Sequence, residues 1–350
     1  MCLKNNSEFL FLFEAVNTNP NGDPDQENKP RMDYETNTAL VSDARRKRDC
    51  RDYLKNKGYQ IFVDTLGDKK VPMDEMFRVV STVYLTDEAK FNGILNSNFE
   101  LKHLWDSLEK EKKSDSRLQF YETLKTNKKL EQQFTDFNNL FLTEIIKQTL
   151  IDIRLFGSAM AVKNITRTFT GPIQITWGYS LHPVDIVKSS TITSIMNDDS
   201  STFGKEYKLH YALIAHYGTI NKFAALKTGM TEKDKQLFRK SLVQGMMNNL
   251  TDSKQGQVPL LYLEIEYNDD FDGYLGDLRR FVKLTDEKDN IRSLGDVALD
   301  FSGLMDILGK MRDKEYVKTV KLWTHPGESK RLEQVFKGIQ LVDLLEPLNP

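Results

Sequence analysis

Residues 8–16, EFLFLFEAV, are a short apolar run that stops against the turn formers NTNPNGDP. A run of this length with an Asn/Pro/Gly boundary predicts a buried strand. Residues 37–57 hold neither Pro nor Gly and become densely charged, which predicts a helix beginning near Thr38 and stopping at Gly58. The text YQIFVD that follows predicts a second strand. In TGPIQITWGYSL, residues 170–181, Ile173, Ile175, Trp177, Tyr179 and Leu181 alternate with Gln174, Thr176, Gly178 and Ser180. That alternation predicts one strand with one face packed and the other turned to water or a ligand. KLHYALIAHY, residues 208–217, sets Leu209, Tyr211, Leu213, Ala215 and Tyr217 on one face of a further strand. The polar text between these two, SSTITSIMNDDSSTFGKE, predicts a protruding hairpin or loop. A helix over 231–250 opens on a capping-box-like pair, Thr231 and Asp234, and LLYLEIEY at 260–267 alternates again as a strand.

Residues 65–150 differ in character. LKHLWDSLEKEKKSDSRLQFYETLKTNKKLEQQF is rich in Lys and Glu and helical in period, unlike the strand-rich text on either side. The expectation is an α+β chain: an RRM-like or ferredoxin-like antiparallel sheet with helices on one face, from residues 1–64 and 151–290. A helical insertion spans 65–150, and residues 291–350 form a C-terminal extension packed on the sheet, with two helices and one short strand. No internal repeat is visible.

Composition narrows the partners more than the fold. With 350 residues, 39% hydrophobic and 29% charged, the chain has the make-up of an ordinary globular protein. No apolar run approaches the roughly 18 residues of a spanning helix, and MCLKNNSEFLFLF lacks the order of a signal peptide. The expected location is cytoplasmic, with no membrane partner. Two cysteines, Cys2 and Cys50, exclude a disulfide framework or a Cys-based zinc site. A formal net charge of -2 means that a polyanion would be held by a local patch.

The loop NPNGDPDQENKPR, residues 19–31, is the first candidate for such a patch. Asn17, Asn19, Asn21 and Gly22 fall on EF-hand positions, but no carboxylate occupies the early ligand positions and Asn28 replaces the bidentate Glu. A calcium site is thereby set aside. Pro, Asn, Gly and Asp each suit a plain turn; the amides of Asn17, Asn19, Asn21 and Asn28, with Lys29 and Arg31, equally suit phosphate and sugar oxygens. The helix SDARRKRDCRDYL then carries Arg45, Arg46, Lys47, Arg48 and Arg51 against Asp43, Asp49 and Asp52. At 100° per residue Lys47 and Arg51 fall on the side of Leu40, Ala44 and Leu54, so that cations stand in the apolar stripe.

Catalytic signals are weak. His210 and His216 lie roughly 20 Å apart at strand rise, and His103, His182 and His325 have no evident partner. Asp23 and Asp25 read as turn carboxylates rather than as a metal or acid/base pair. No Walker, dinucleotide or Ser/His/Asp pattern is present, so no cofactor, metal or catalytic residue is expected. FLFLF also lacks the aromatic pattern with which a standard RRM stacks bases.

Taken in order, N-x-NPNGDP with N-x-PR, ALVSDARRKRDCRDYL, DIRLFGSAM and TGPIQITWGYSLHPV resemble the backbone subunit of type I CRISPR effector complexes (Cascade). This is the Cas-seven family of the RAMP superfamily, and the likeness is strongest to its subtype I-B. It runs over about residues 9–267. The resemblance implies an RRM-like palm, a finger-like helical insertion and a thumb at about 189–208. It also implies a non-enzymatic role: copies stack along CRISPR RNA with other Cascade subunits, and present the guide to a target DNA strand in antiviral defence. Carried over by position, Asn17, Asn19, Asn21, Arg31 and Ser42 would line the RNA path. Arg45, Lys47, Arg48 and Arg51 would neutralise phosphates. Arg154, Lys163, Thr170 and Gln174 would contact the backbone, and Met196, Phe203, Lys205 and Lys208 would belong to the thumb. Two rivals remain, an RNA-cleaving type III-like subunit acting through Asp23 or Asp25, and a guide-processing endoribonuclease.

Overall fold

The computed structural model describes residues 3–66, 69–70, 73–111, 116–162, 165–188, 191–193, 203–249, 251–285 and 290–348. The chain divides into two compact units, one of residues 58–172 with 223–234, the other of 3–57, 173–222 and 235–350.

The second unit is built on nine strands. In chain order its main elements are β1 (Ser7–Thr18), β2 (Met32–Asp33), β3 (Thr38–Val41), α1 (Asp43–Asn56), β4 (Ile173–Ile175), β5 (Gly178–Ser180), β6 (Leu209–Ile220), α2 (Glu232–Met247), β7 (Gln257–Tyr267), α3 (Ser302–Asp313), β8 (Val317–Thr324) and β9 (Gln340–Leu341). The sheet runs β9-β8-β7-β1-β6-β5-β3-β2, with β4 also on β6. Its centre is antiparallel throughout.

β1 is covered on both faces, which explains its unbroken apolar run. Phe9, Phe11 and Phe13 face the helices: the rings of Phe9 and Phe238 of α2 are 5.4 Å apart, and the Arg46 guanidinium of α1 lies 4.9 Å from the Phe13 ring. Leu10 and Leu12 face the other way, into a core with Leu261, Leu263, Phe301, Leu304, Leu308, Leu332 and Phe336. That second face is the one a single-layer RRM leaves open, and here the C-terminal segment closes it. The tail also supplies β8, which extends the sheet at β7, beyond the two helices and one short strand expected.

The helices of the first unit, Met73–Thr86, Glu88–Ser97, Phe99–Glu109, Arg117–Leu124 and Glu131–Thr149, enclose an aromatic core of Phe77, Phe91, Trp105, Phe120, Phe137 and Phe141. Asp87, Asn98 and Ser116 cap three of them through their side chains. The unit also holds the hairpin Gly157–Val162 with Ile165–Thr170. Among the described residues no helix is long and apolar enough to cross a membrane.

Three local expectations fail. The helix starts at Asp43, because TALV is the strand β3, paired on both edges, and Ser42 takes the N-cap. YQIFVD forms no strand: the amides of Phe62 and Val63 donate to the Asp152 carboxylate at 2.8 and 3.0 Å instead of to a ladder. TGPIQITWGYSL is not one strand. Ile175 pairs with Gly218 but Tyr179 with Ala215, so the span holds one extra residue, and the bulge reverses the faces beyond it. Trp177 therefore stands 45% exposed while Ser180 is buried.

Candidate nucleic-acid interface

Residues 19–31 fold as a small hairpin in which Gly22–Asp23 pairs with Lys29–Pro30 across the short turn Pro24–Gln26. Glu27 and Asn28 close it at φ 52° and 60°, backbone that Asn tolerates well. Asp23 shapes the loop, accepting from the Asp25 amide and from Arg31 Nη2, each at 3.2 Å. Asn19 is buried and donates to the Asn28 carbonyl at 2.8 Å. Asn21 fastens the hairpin to α1: its Oδ1 accepts from Ser42 N at 2.8 Å and Ser42 Oγ at 2.9 Å. Ser42 Oγ in turn accepts from Arg45 N at 3.3 Å. Asn17, just upstream, is exposed at φ 48°.

Along α1 the charges pair at one-turn spacing, Lys47 with Asp43 at 2.8 Å, Arg48 with Asp52 at 2.9 Å, and Arg45 with Asp49. The buried stripe is Arg46, Asp49, Cys50, Tyr53 and Leu54. Lys47 and Arg51 lie outside it, because Leu40, which set the expected stripe, sits in β3 and gave the wrong phase. Arg46 is the cation that the stripe contains, 1% exposed, 3.0 Å from Asp49 and 3.2 Å from Gln257 Oε1. Burial, aided by Arg45, lowers its pKa.

Lys254 completes this group. Its ammonium donates to the Asn19 carbonyl. Burial and then the charges of Arg45 and Arg46 push its pKa down to about 8. Arg45 and Arg46 both pair with Asp49, and Lys254 lies near enough for Arg45 and Arg46 to depress its pKa, so positive charge exceeds negative at this point. Arg45 Nε, Arg46 Nε and Nη1 and Asn19 Oδ1 are buried without a hydrogen-bond partner. Excess positive charge beside the hairpin, with Arg45 the partly exposed arginine of the group, is the electrostatic condition for holding an anion.

Further cations border the hairpin. Arg31 lies 5.3 Å from the Trp177 ring. At the tip, Glu27 meets Lys205 at 3.7 Å and accepts from the Tyr207 hydroxyl at 3.1 Å, while Lys29 stands 5.2 Å over the Tyr207 ring. Those contacts, Tyr207 first, lower the Glu27 pKa. Lys208 pairs with Glu206 and Asp252 at 3.1 and 3.5 Å.

The other expected residues lie elsewhere. Gln174 is exposed on β4, and Thr170 is exposed at the end of the hairpin in the first unit. Arg154, in that same unit, is bound by both carboxylate oxygens of Asp234 at 3.1 and 2.9 Å. Phe203 lies in a short strand paired with Thr191–Thr193; its side chain, Lys163 and Met196 fall outside the described residues. Sequence reasoning missed Lys254, Tyr207 and the outward turn of Trp177. Lys254 left no signal, since it meets Asn19 across 235 positions; the Trp177–Gly178 pair inside an alternating run was a readable hint of a bulge.

The family described as CRISPR-associated protein Cas7 matches residues 5–302. A curated Haloferax volcanii protein, described as CRISPR-associated protein Cas7, is 23% identical over 371 residues, covering 94% of this chain and 95% of its own. A chain of a solved "CRISPR RNA-guided surveillance complex, pre-nicking" matches at TM-score 0.52 and 11% identity, over 97% of this chain and 96% of that one. At that identity the structural likeness concerns the fold.

Proposed function

The chain belongs to the CRISPR-associated Cas7 family, and from that premise we propose that it is the guide-RNA-binding backbone subunit of a type I Cascade complex. Copies stack along single-stranded CRISPR RNA in the cytoplasm, together with other Cascade subunits, and present the guide for pairing with a target DNA strand. The strand order β7-β1-β6-β4, with α1 between β1 and β4 and α2 between β6 and β7, supports reading the palm as ferredoxin-like or RRM-like. The helical unit takes the part of the finger and the hairpin of Thr191–Thr193 with Phe203–Lys205 that of the thumb.

The carrying observation is the positive group of Arg45 and Arg46 on Asp49, with Lys254 donating to Asn19, set beside the Asn21-clamped hairpin. A backbone gripper must accept any spacer, so contacts to phosphate and 2′-hydroxyl outweigh base-edge contacts. We read the role as non-enzymatic: Asp23 Oδ1 accepts from Arg31 and the Asp25 amide, which supports a shaping part for Asp23, and RNA left intact by the parent chain with magnesium would set aside the type III-like rival acting through Asp23 or Asp25.

The test is equilibrium binding of single-stranded RNAs of unrelated sequence at several salt concentrations. Near-equal affinities with a steep salt slope are expected. Neutralising the cluster with Arg45→Gln and Lys254→Gln should weaken all of them about tenfold and lower the slope by about one to two. Unchanged binding by a folded double variant would reject the cluster as the phosphate site.

A further inference from the structure

Trp177 is the exposed indole of the molecule, and its position is built rather than incidental. Trp105 and Trp323 are 2% and 4% exposed, Trp177 45%. The bulge between β4 and β5 turns it outward. Gly178 allows that bend, since a Cβ there would stand 2.7 Å from the buried His216 ring. Arg279 then fixes the backbone: its Nη1 donates to the Trp177 carbonyl at 2.7 Å, and its guanidinium lies 4.2 Å from the Tyr179 ring. Asp277 locks Arg279 in turn through two bonds of 2.8 and 2.7 Å. Arg31 lies over one face of the indole, 5.3 Å from the ring centre, and joins it to the hairpin.

A lone exposed aromatic needs no function. One held on a rigid bulge, beside an arginine and against a loop read as an RNA site, has the makings of a stacking platform. We infer that an unpaired base of the bound RNA stacks on the face of Trp177 that Arg31 leaves open. The inference rests on the guide-RNA reading above. It adds a sequence-tolerant contact, because every base offers a π-face whereas phosphate contacts alone ignore the bases.

Tryptophan emission of the full-length chain reads the contact directly, since the other two indoles are buried. Oligouridine should quench the emission, and heparin, an anion without bases, should not. Trp177→Ala should bind oligouridine about tenfold more weakly with the salt slope unchanged. Trp177→Phe should stay within about threefold of the parent and lose the quench. Full affinity in Trp177→Ala, or emission that RNA leaves unmoved, overturns the platform while leaving the guide-RNA reading intact. No RNA binding by the parent chain overturns both. If Trp177→Ala does not fold, the parent's emission and Trp177→Phe still decide.

Discussion

At the scale of single residues, the amide of Asn21 ties the hairpin to the helix by accepting two hydrogen bonds from Ser42. Asn21→Ala should cost about 1–2 kcal/mol in denaturant unfolding and should weaken RNA binding beyond what stability explains, because the hairpin loses its anchor. Stability and RNA affinity both equal to the parent's would show that the anchor is dispensable. Asp23 is legible from sequence as a turn carboxylate, and its bond to the Asp25 amide is the local pattern such residues make. Asn21 was legible as polar and as part of the site. Its actual partner, Ser42, required the chain to turn back from β3.

Elements distribute charge in ways that residue types do not reveal. α1 has one cation-bearing outer side and one buried stripe, and the buried arginine is Arg46 rather than the expected Lys47 and Arg51. Counting Leu40, a strand residue, into the helix points the apolar stripe the wrong way, since each residue turns the face by about 100°. α2 buries a denser set of charges. Glu264 accepts from Arg239 at 2.6 and 2.8 Å and from the Tyr262 hydroxyl at 2.6 Å, with Lys235 at 3.0 Å. Burial alone would raise its pKa, yet Arg239 and Lys235 hold it well below the usual carboxylate range. Glu264→Gln leaves Lys235 and Arg239 undercompensated and should destabilise by about 3–5 kcal/mol. A loss under about 1 kcal/mol in urea unfolding would mean that Glu266, 3.0 Å from Lys235, takes over the pairing.

On the scale of the whole molecule, the sheet is a closed middle layer, with α1 and α2 on one face and the C-terminal segment on the other. His216 is buried on the helix side, and burial, then Arg46, pushes its pKa from 6.5 to about 3. In the unfolded chain it takes up a proton below about pH 6.5 while the folded chain resists until about 3. The stability that this histidine contributes is therefore fully present above about 6.5 and falls by about 1.4 kcal/mol per pH unit as pH drops through that window. Urea midpoints measured from pH 7 to 4 should show this decline, and His216→Gln should flatten it. An equally steep decline in the variant would assign the acid sensitivity to other groups.

The amino-acid sequence by itself determined the buried run of β1, the existence of the strands β6 and β7, the capping box of Thr231 and Asp234, and the helical character of the insertion. Each of these is a periodicity or a cap contained within a few residues, so nothing distant was needed to read it. Only the tertiary structure decided that Lys254 joins Arg45 and Arg46, that a bulge turns Trp177 outward, and that a C-terminal layer closes the sheet. Those features come from pairing register and from contacts across hundreds of residues. A one-residue slip reverses a strand's faces, and a distant contact has no local periodicity to announce it.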